Sequence, residues 1–244
     1  MSTAALAWRQ YRFERRMFWR NPSAAFFNFL LPLLLLVLAA SVFNTTQKDL
    51  NIIVPGIAGM SVMTTTFTAL AFNVTFLREE GILKRIRGTP LPPLSYFGGL
   101  VGNAVANAFV QVTIVVLIGH FAYHVHWPQN WLDLVLFVVL GVTAFGALGI
   151  AMSHLIPNFD AAAAYVNAVF LPLIFISGTF YDPKHLPSVL DGIASALPLK
   201  PVIEGIHAAL VTGSGPSHHV EALAVLAAWC LGGIFLAVRY FRWE

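Results

Sequence analysis

The sequence predicts an all-α, polytopic membrane protein with six transmembrane helices, an N-terminal interfacial helix and a re-entrant helical hairpin between spans five and six. Three observations carry this prediction. Apolar residues make up 58% of the 244 and charged residues only 10%, against about 25% in soluble domains. The mean hydropathy of +0.75 points the same way, and a soluble domain of this length would need far more charge to cover its surface. Six runs reach the roughly 20 apolar residues that a spanning helix needs. Lysine and arginine are sorted to particular connections. The length suits a single membrane domain over residues 1–244. A net charge of +3 does not suggest a nucleic-acid surface. The single cysteine, Cys230, lies in an apolar run and reads as a small buried residue.

Residues 5–20 open the chain with Leu6, Arg9, Phe13, Met17 and Arg20 among Trp8, Tyr11, Phe18 and Trp19. This mixture suits a helix at the membrane interface, with arginines among headgroups and aromatics dipping inward. It equally suits a basic anchor that fixes topology. Pro22 marks the break into span one, Ala24 to Phe43. Ala39-Ala40-Ser41 resembles a cleavage site, but the run is longer than the roughly 7–15 residues of a signal-peptide core, so a retained span is expected. Span two is Ile52 to Phe76.

The link that follows, residues 77–93, reads LREEGILKRIRGTPLPP. Its centre predicts a short amphipathic helix, with Ile82, Leu83 and Ile86 on one side and Lys84, Arg85 and Arg87 on the other. Gly81, Gly88 and Pro90 bound it. Span three runs from about Leu94 to Tyr123, span four from Leu132 to His154 and span five from Ala161 to Phe180. Asp160 is expected to cap span five, favoured by the helix dipole. Residues 178–218 are too polar and too broken by Pro and Gly to span, yet too apolar for a solvated loop. They predict two short helices, about 187–196 and 201–211, each beginning at a proline. Such backbone can return into a leaflet only when packed on protein. Span six is Val220 to Val238.

No Asp, Glu, Lys or Arg falls inside spans one, two, three and five. A central charge would cost roughly 2.5–3.5 kcal/mol. Asp133 and Glu221 sit near span ends, where the cost is small. Continuous apolar runs argue against a β-barrel, whose strands alternate. Orientation follows from Arg9, Arg12, Arg15, Arg16 and Arg20, from Arg78, Lys84, Arg85 and Arg87, and from Arg239 and Arg242. With six spans these groups share one side, and the other side holds Lys48, Lys184 and Lys200. The positive-inside rule then places both termini in the cytoplasm.

The chain has no phosphate-binding loop of the G-x-x-x-x-G-K-[ST] kind and neither an H-E-x-x-H nor a C-x-x-C motif. It is not expected to hydrolyse ATP itself or to be a zinc protease. No acidic residue sits mid-span, which disfavours a proton antiporter. In span three Asn103, Asn107 and Gln111 recur every four residues and share a face. Span two carries Thr64, Thr65, Thr66, Thr68, Asn73 and Thr75. These residues either line a substrate path or bond neighbouring helices together. Gly141, Ala144, Gly146, Gly149 and Ser153 read as close helix packing. His120 and His124 are spaced for one helix face, and His126 and Trp127 follow; a metal pair or an interfacial cluster would both fit.

Taken together, REEGILKRIRGTPL between spans two and three and SGTFYDPKHLPSVLDGIASALPLKPVIEGIHAAL after span five resemble the ABC-2 type permeases. These are membrane subunits of one class of ATP-binding-cassette exporters, and the likeness covers essentially the whole chain. In form it looks most like bacterial drug, antibiotic or lipid exporters of the daunorubicin-resistance kind. The resemblance implies that the link forms a coupling helix docking on a separate ATPase subunit, with Arg78, Glu79, Glu80, Gly81, Leu83, Lys84 and Arg85 at its heart. It implies that the N-terminal helix also touches that ATPase and that the hairpin caps the pathway on the extracellular side. A second permease copy or a paralogue would complete a dimer in membrane lipid. ATP and Mg would be bound by the ATPase, with no cofactor in this chain. Thr64, Thr68, Asn103, Asn107 and Gln111 are the candidates for pathway lining. His207 departs from the arginine that often follows Glu-Gly in the family. A polysaccharide or glycolipid exporter is the alternative within transport. A membrane enzyme or anchor is the alternative outside it.

Overall fold

A computed structural model describes residues 3–42, 46–89, 91–181, 187–215 and 218–240. Phe43, Pro90, residues 182–186 and 216–217, and Arg242 lie outside the described residues. The chain is all-α, with no strand among the described residues. Helix α1 is Thr3–Arg20, α2 Pro22–Val42, α3 Gln47–Met63, α4 Ala69–Glu79, α5 Ile82–Arg87 and α6 Pro93–Tyr123. Then come α7 Trp131–Ser153, α8 Phe159–Ile176, α9 Ser188–Ala196, α10 Leu199–His207 and α11 Val220–Tyr240. Five helical stretches are long and apolar enough to cross a membrane, α3 and α4 counting as one. The pair α1 and α2, bent by 74°, supplies a sixth when counted as one span.

Sequence chemistry fixes most boundaries. Pro22 opens α2, where its missing N–H costs nothing. The Thr46 side chain and the Asp49 carboxylate form a reciprocal capping box that starts α3 five residues before the predicted span. Asn130 accepts from the Leu132 and Asp133 amides and starts α7. The start of α8 differs from expectation. Asn158, not Asp160, is the cap, its Oδ1 accepting from the Ala161 amide at 2.9 Å. Asp160 sits in the first turn, where it still meets the positive end of the helix. Pro187 caps α9 as predicted, whereas α10 begins two residues before Pro201.

Helix α3 is the centre of the bundle. It contacts α2, α6, α7 and α10. Of the apolar window of Gln47–Glu79, 78% is buried, against 17% in α8 and 22% in α11, so the last two form the exposed periphery. Helix α10 enters between α3 and α7. Its Gly205 lies under Phe137, where an added Cβ would come within 2.1 Å of the ring, so only glycine fits. Gly59 of α3 meets Ile203 in the same way, at 2.6 Å. The predicted span-four glycines do pack closely: Gly141 faces Val202, and Gly149 faces the Phe67 backbone. Helix α10 is joined to α9 by Lys200, a side chain only 7% exposed. Its Nζ donates to Asp191 Oδ1 at 2.6 Å and to Ser195 Oγ at 2.8 Å.

Helix α1 packs along the first half of α6 in the same direction. Ser95 Oγ donates to the Thr3 carbonyl at 2.9 Å, Gly99 abuts Gln10, and Arg15 donates to Asn107. Glu14 is buried at this contact, where desolvation holds its carboxyl above the ordinary value and the Gln10 hydrogen bond partly opposes the shift.

Candidate functional site: the charged link and the apolar cavity

The link grows from the end of α4. Glu80 ends that helix, and Gly81 reverses the chain at φ +66°, a left-handed conformation that suits glycine. The short α5 follows, as the alternation of Ile82, Leu83 and Ile86 with cations predicts. Leu83 is fully buried and is the anchor. It joins a satellite cluster with Leu70, Leu77, Tyr96, Leu100 and Ile150. Lys84, Arg85 and Arg87 are exposed, as are Glu79 and Glu80. The result is a small basic platform pinned by one leucine.

Arg78 and Glu79 behave differently from the rest of the predicted set. Both reach across to the connection between α7 and α8. Arg78 Nη1 donates to the Ser153 carbonyl at 2.7 Å and Nη2 to the Ile156 carbonyl at 2.5 Å. Glu79 Oε2 accepts from the Phe159 amide at 2.5 Å. Glu79, Glu80, Lys84 and Arg85 are the exposed charges of the predicted set, and Glu79 among them bonds the α7–α8 connection.

The polar residues of the spans are also divided. Ser61, Thr64, Thr65 and Thr66 each donate to the carbonyl four residues earlier, at 2.6–2.9 Å. Such bonds compete with the backbone ladder. The helix widens here into a π-helical turn over Thr64–Thr68. Turns of this kind recur at functional sites. Sequence reading marked these threonines for polarity and missed the turn, though the run Ser61, Thr64, Thr65, Thr66 is its signal. Asn107 is taken up by Arg15, and Gln111 Nε2 donates to the Phe29 carbonyl at 3.3 Å. The face of span three thus bonds α1 and α2 at these two positions. Thr68 Oγ1 and Asn103 Oδ1 are buried with no hydrogen-bond partner among the described residues.

A cavity of about 580 Å³ lies between α7, α8 and α11, beside the π-helical turn. Its walls are almost wholly apolar and include Phe67, Phe145, Leu173 and Trp229, with His154 and Leu155 also lining it. No sequence periodicity announced it, because its wall is assembled from helices far apart in the chain.

The histidines do not form the helix-face pair that their spacing suggests. His120 Nδ1 bonds the Val125 carbonyl at 2.9 Å, and its ring meets Trp127 edge-on. His124 has already left the helix, at φ +55°, and ends α6. Among the described residues no group of three His, Cys, Asp or Glu side chains could hold a metal ion.

Known proteins resolve what kind of membrane protein this is. The profile of the family described as ABC-2 type transporter matches residues 2–211. The chain belongs to the ABC-2 type transporter family. It is similar to the inner membrane transport permease YadH of Escherichia coli, 26% identical over 158 residues that cover 64% of this chain and 60% of YadH. It is similar to nodulation protein J of Sinorhizobium fredii, 27% identical over 177 residues, covering 70% of this chain and 66% of that protein. A third relative is YbhR of E. coli, named a probable multidrug ABC transporter permease. It is 27% identical over 150 residues, covering 61% of this chain and 40% of YbhR. The matches span less than two thirds of each of these relatives. This ABC-2 chain is a multi-pass membrane protein by its fold.

Proposed function

We propose that the chain is the permease subunit of an ABC exporter that moves a hydrophobic or amphipathic small molecule, a drug, an antibiotic or a lipid, across the cytoplasmic membrane. A separate ATPase subunit supplies the energy by docking on the link, and a second permease, identical or paralogous, completes the pathway. Both termini are then cytoplasmic, as the sorting of Lys and Arg requires.

The observation that carries this reading is the link itself. It is a short helix with an exposed basic face, held to the bundle by a fully buried Leu83. A surface that receives force from a partner needs this combination of exposed charge and a rigid root. The apolar cavity supports the substrate class, since its walls offer little to a polar glycan and much to a hydrophobic body. The name of YbhR points in the same direction. In this mechanism ATP-driven closure of two ATPase subunits pushes the links and shifts the paired permeases between two packings. The test is transport in inside-out vesicles that contain the chain and the ATP-binding-cassette ATPase that co-purifies with it. ATP-dependent daunorubicin or fluorescent-lipid uptake, absent without the chain, supports the reading. Vesicles that hydrolyse ATP yet move neither compound contradict it.

A further inference from the structure

Two adjacent residues of the link grip two helix ends at once. Ser153 is the last residue of α7. The final carbonyls of a helix lack intrahelical donors and carry its negative end. Arg78 supplies that end with a cation and one N–H, to Ser153, and gives a second N–H to the Ile156 carbonyl in the connection that follows. Phe159 is the first residue of α8, where the amides are unsatisfied and the dipole is positive. Glu79 supplies an anion and an acceptor there. One dipeptide therefore matches a cation to a C-terminus and an anion to the next N-terminus. Aromatic contacts reinforce the second grip, because the Phe159 ring meets Phe76 at 5.5 Å and Phe72 at 6.1 Å, both edge-on.

The gripped connection belongs to the cavity wall. His154 and Leu155 line it directly, and the two helices it joins contribute Phe145 and Leu173. The bonds to Arg78 and Glu79 are charge-assisted and hence short and strong. They join the link to α7 and α8 by a route independent of the backbone, which runs only into α4 and α6.

We propose that Arg78 and Glu79 are the residues that carry movement of the link to α7 and α8, and so to the wall of the cavity, instead of touching the ATPase. They are positioning residues, and Glu80, Lys84 and Arg85 are left to face the partner. This rests on the docking reading above. Its consequence is that the ATPase drives the cavity wall directly and not only the helices covalently joined to the link.

The test is hydrogen–deuterium exchange of the full chain purified with its ATPase, with and without adenylyl imidodiphosphate. In wild type, peptides over 78–91 and over 154–176 should both change exchange when the nucleotide analogue binds. In Arg78→Ala and in Glu79→Ala the 78–91 response should persist and the 154–176 response should fall several-fold. Without nucleotide, Glu79→Ala should speed exchange of the Phe159 amide about tenfold, the worth of one hydrogen bond to a charged group. Arg78→Lys keeps the charge but can make one bond in place of two, and should give an intermediate response. It also carries the test if Arg78→Ala does not accumulate in the membrane. A full 154–176 response in both alanine variants overturns the proposal. A wild-type complex whose 78–91 peptide ignores nucleotide overturns the docking reading and the transmission claim with it.

Discussion

The link and the α9–α10 hairpin are two segments that do not span, one charged and one broken by proline, and they are built in opposite ways. Helix α5 of the link buries a single side chain, Leu83, and exposes its cations. Helix α10 buries Leu199, Lys200, Pro201, Val202, Ile203, Gly205 and Ile206, including its one lysine. The difference shows that glycine and proline punctuation marks a departure from plain spanning helices but not its purpose. One segment is part of the packed centre. The other is a platform with a root. Substitutions in the two should therefore fail differently, the hairpin through loss of the fold and the link through loss of partnership.

The largest effect is expected in the hairpin. Gly205→Leu would drive a side chain into Phe137 and should cost about 3 kcal/mol, the upper part of the range for overpacking. Thermal unfolding of the purified chain in detergent reads this, and an unchanged midpoint would refute the close approach. Next is Leu83→Ala, expected to cost about 2 kcal/mol, the low end for a truncated buried leucine. Because α5 is short and peripheral, the loss should appear as faster amide exchange in 80–88, with the global midpoint almost unmoved. A fall in the global midpoint as large as that of Gly205→Leu would erase the contrast between the two segments.

The smallest effect lies at α1, a third non-spanning element, charged like the link and with Glu14 as its one buried side chain among the described residues. Glu14 titrates above its ordinary value of 4.5 because burial disfavours the carboxylate. The folded chain thus holds its proton to higher pH than the unfolded chain does. Stability falls as pH rises from about 4.5 through the raised value and then levels off. Glu14→Gln does not titrate, so it should melt higher than wild type at pH 7 and equally below pH 4.5. The reverse sign at pH 7 would show that the carboxylate is stabilised where it lies.

Much of the fold was legible because its causes are local. Apolar runs of spanning length, Pro22, Pro187, the left-handed Gly81 and the alternation around Leu83 each act within one element. What was not legible depends on contacts between separate elements, or on a choice between two neighbouring caps. Lys200 reads as a loop cation until Asp191 and Ser195 are brought beside it. Asp160 reads as a cap because nothing in the spacing says that Asn158 takes the place. Arg78 and Glu79 enter the docking set through the family resemblance, and nothing in the spacing says that they also bond a connection about 75–80 residues away. The cavity has no signature in the chain at all.

The central claim is that an ATPase engages the exposed basic face of the link. Its most direct measurement is retention of an ATP-binding-cassette ATPase when the permease is purified from its native membranes, as wild type and as the double variant Lys84→Glu, Arg85→Glu. Both side chains are exposed, so stability should move by no more than about 0.5 kcal/mol. Wild type should retain the ATPase, and the double variant should lose at least nine tenths of it, about 1.4 kcal/mol of binding. Equal retention by both proteins, each still folded, would contradict the account.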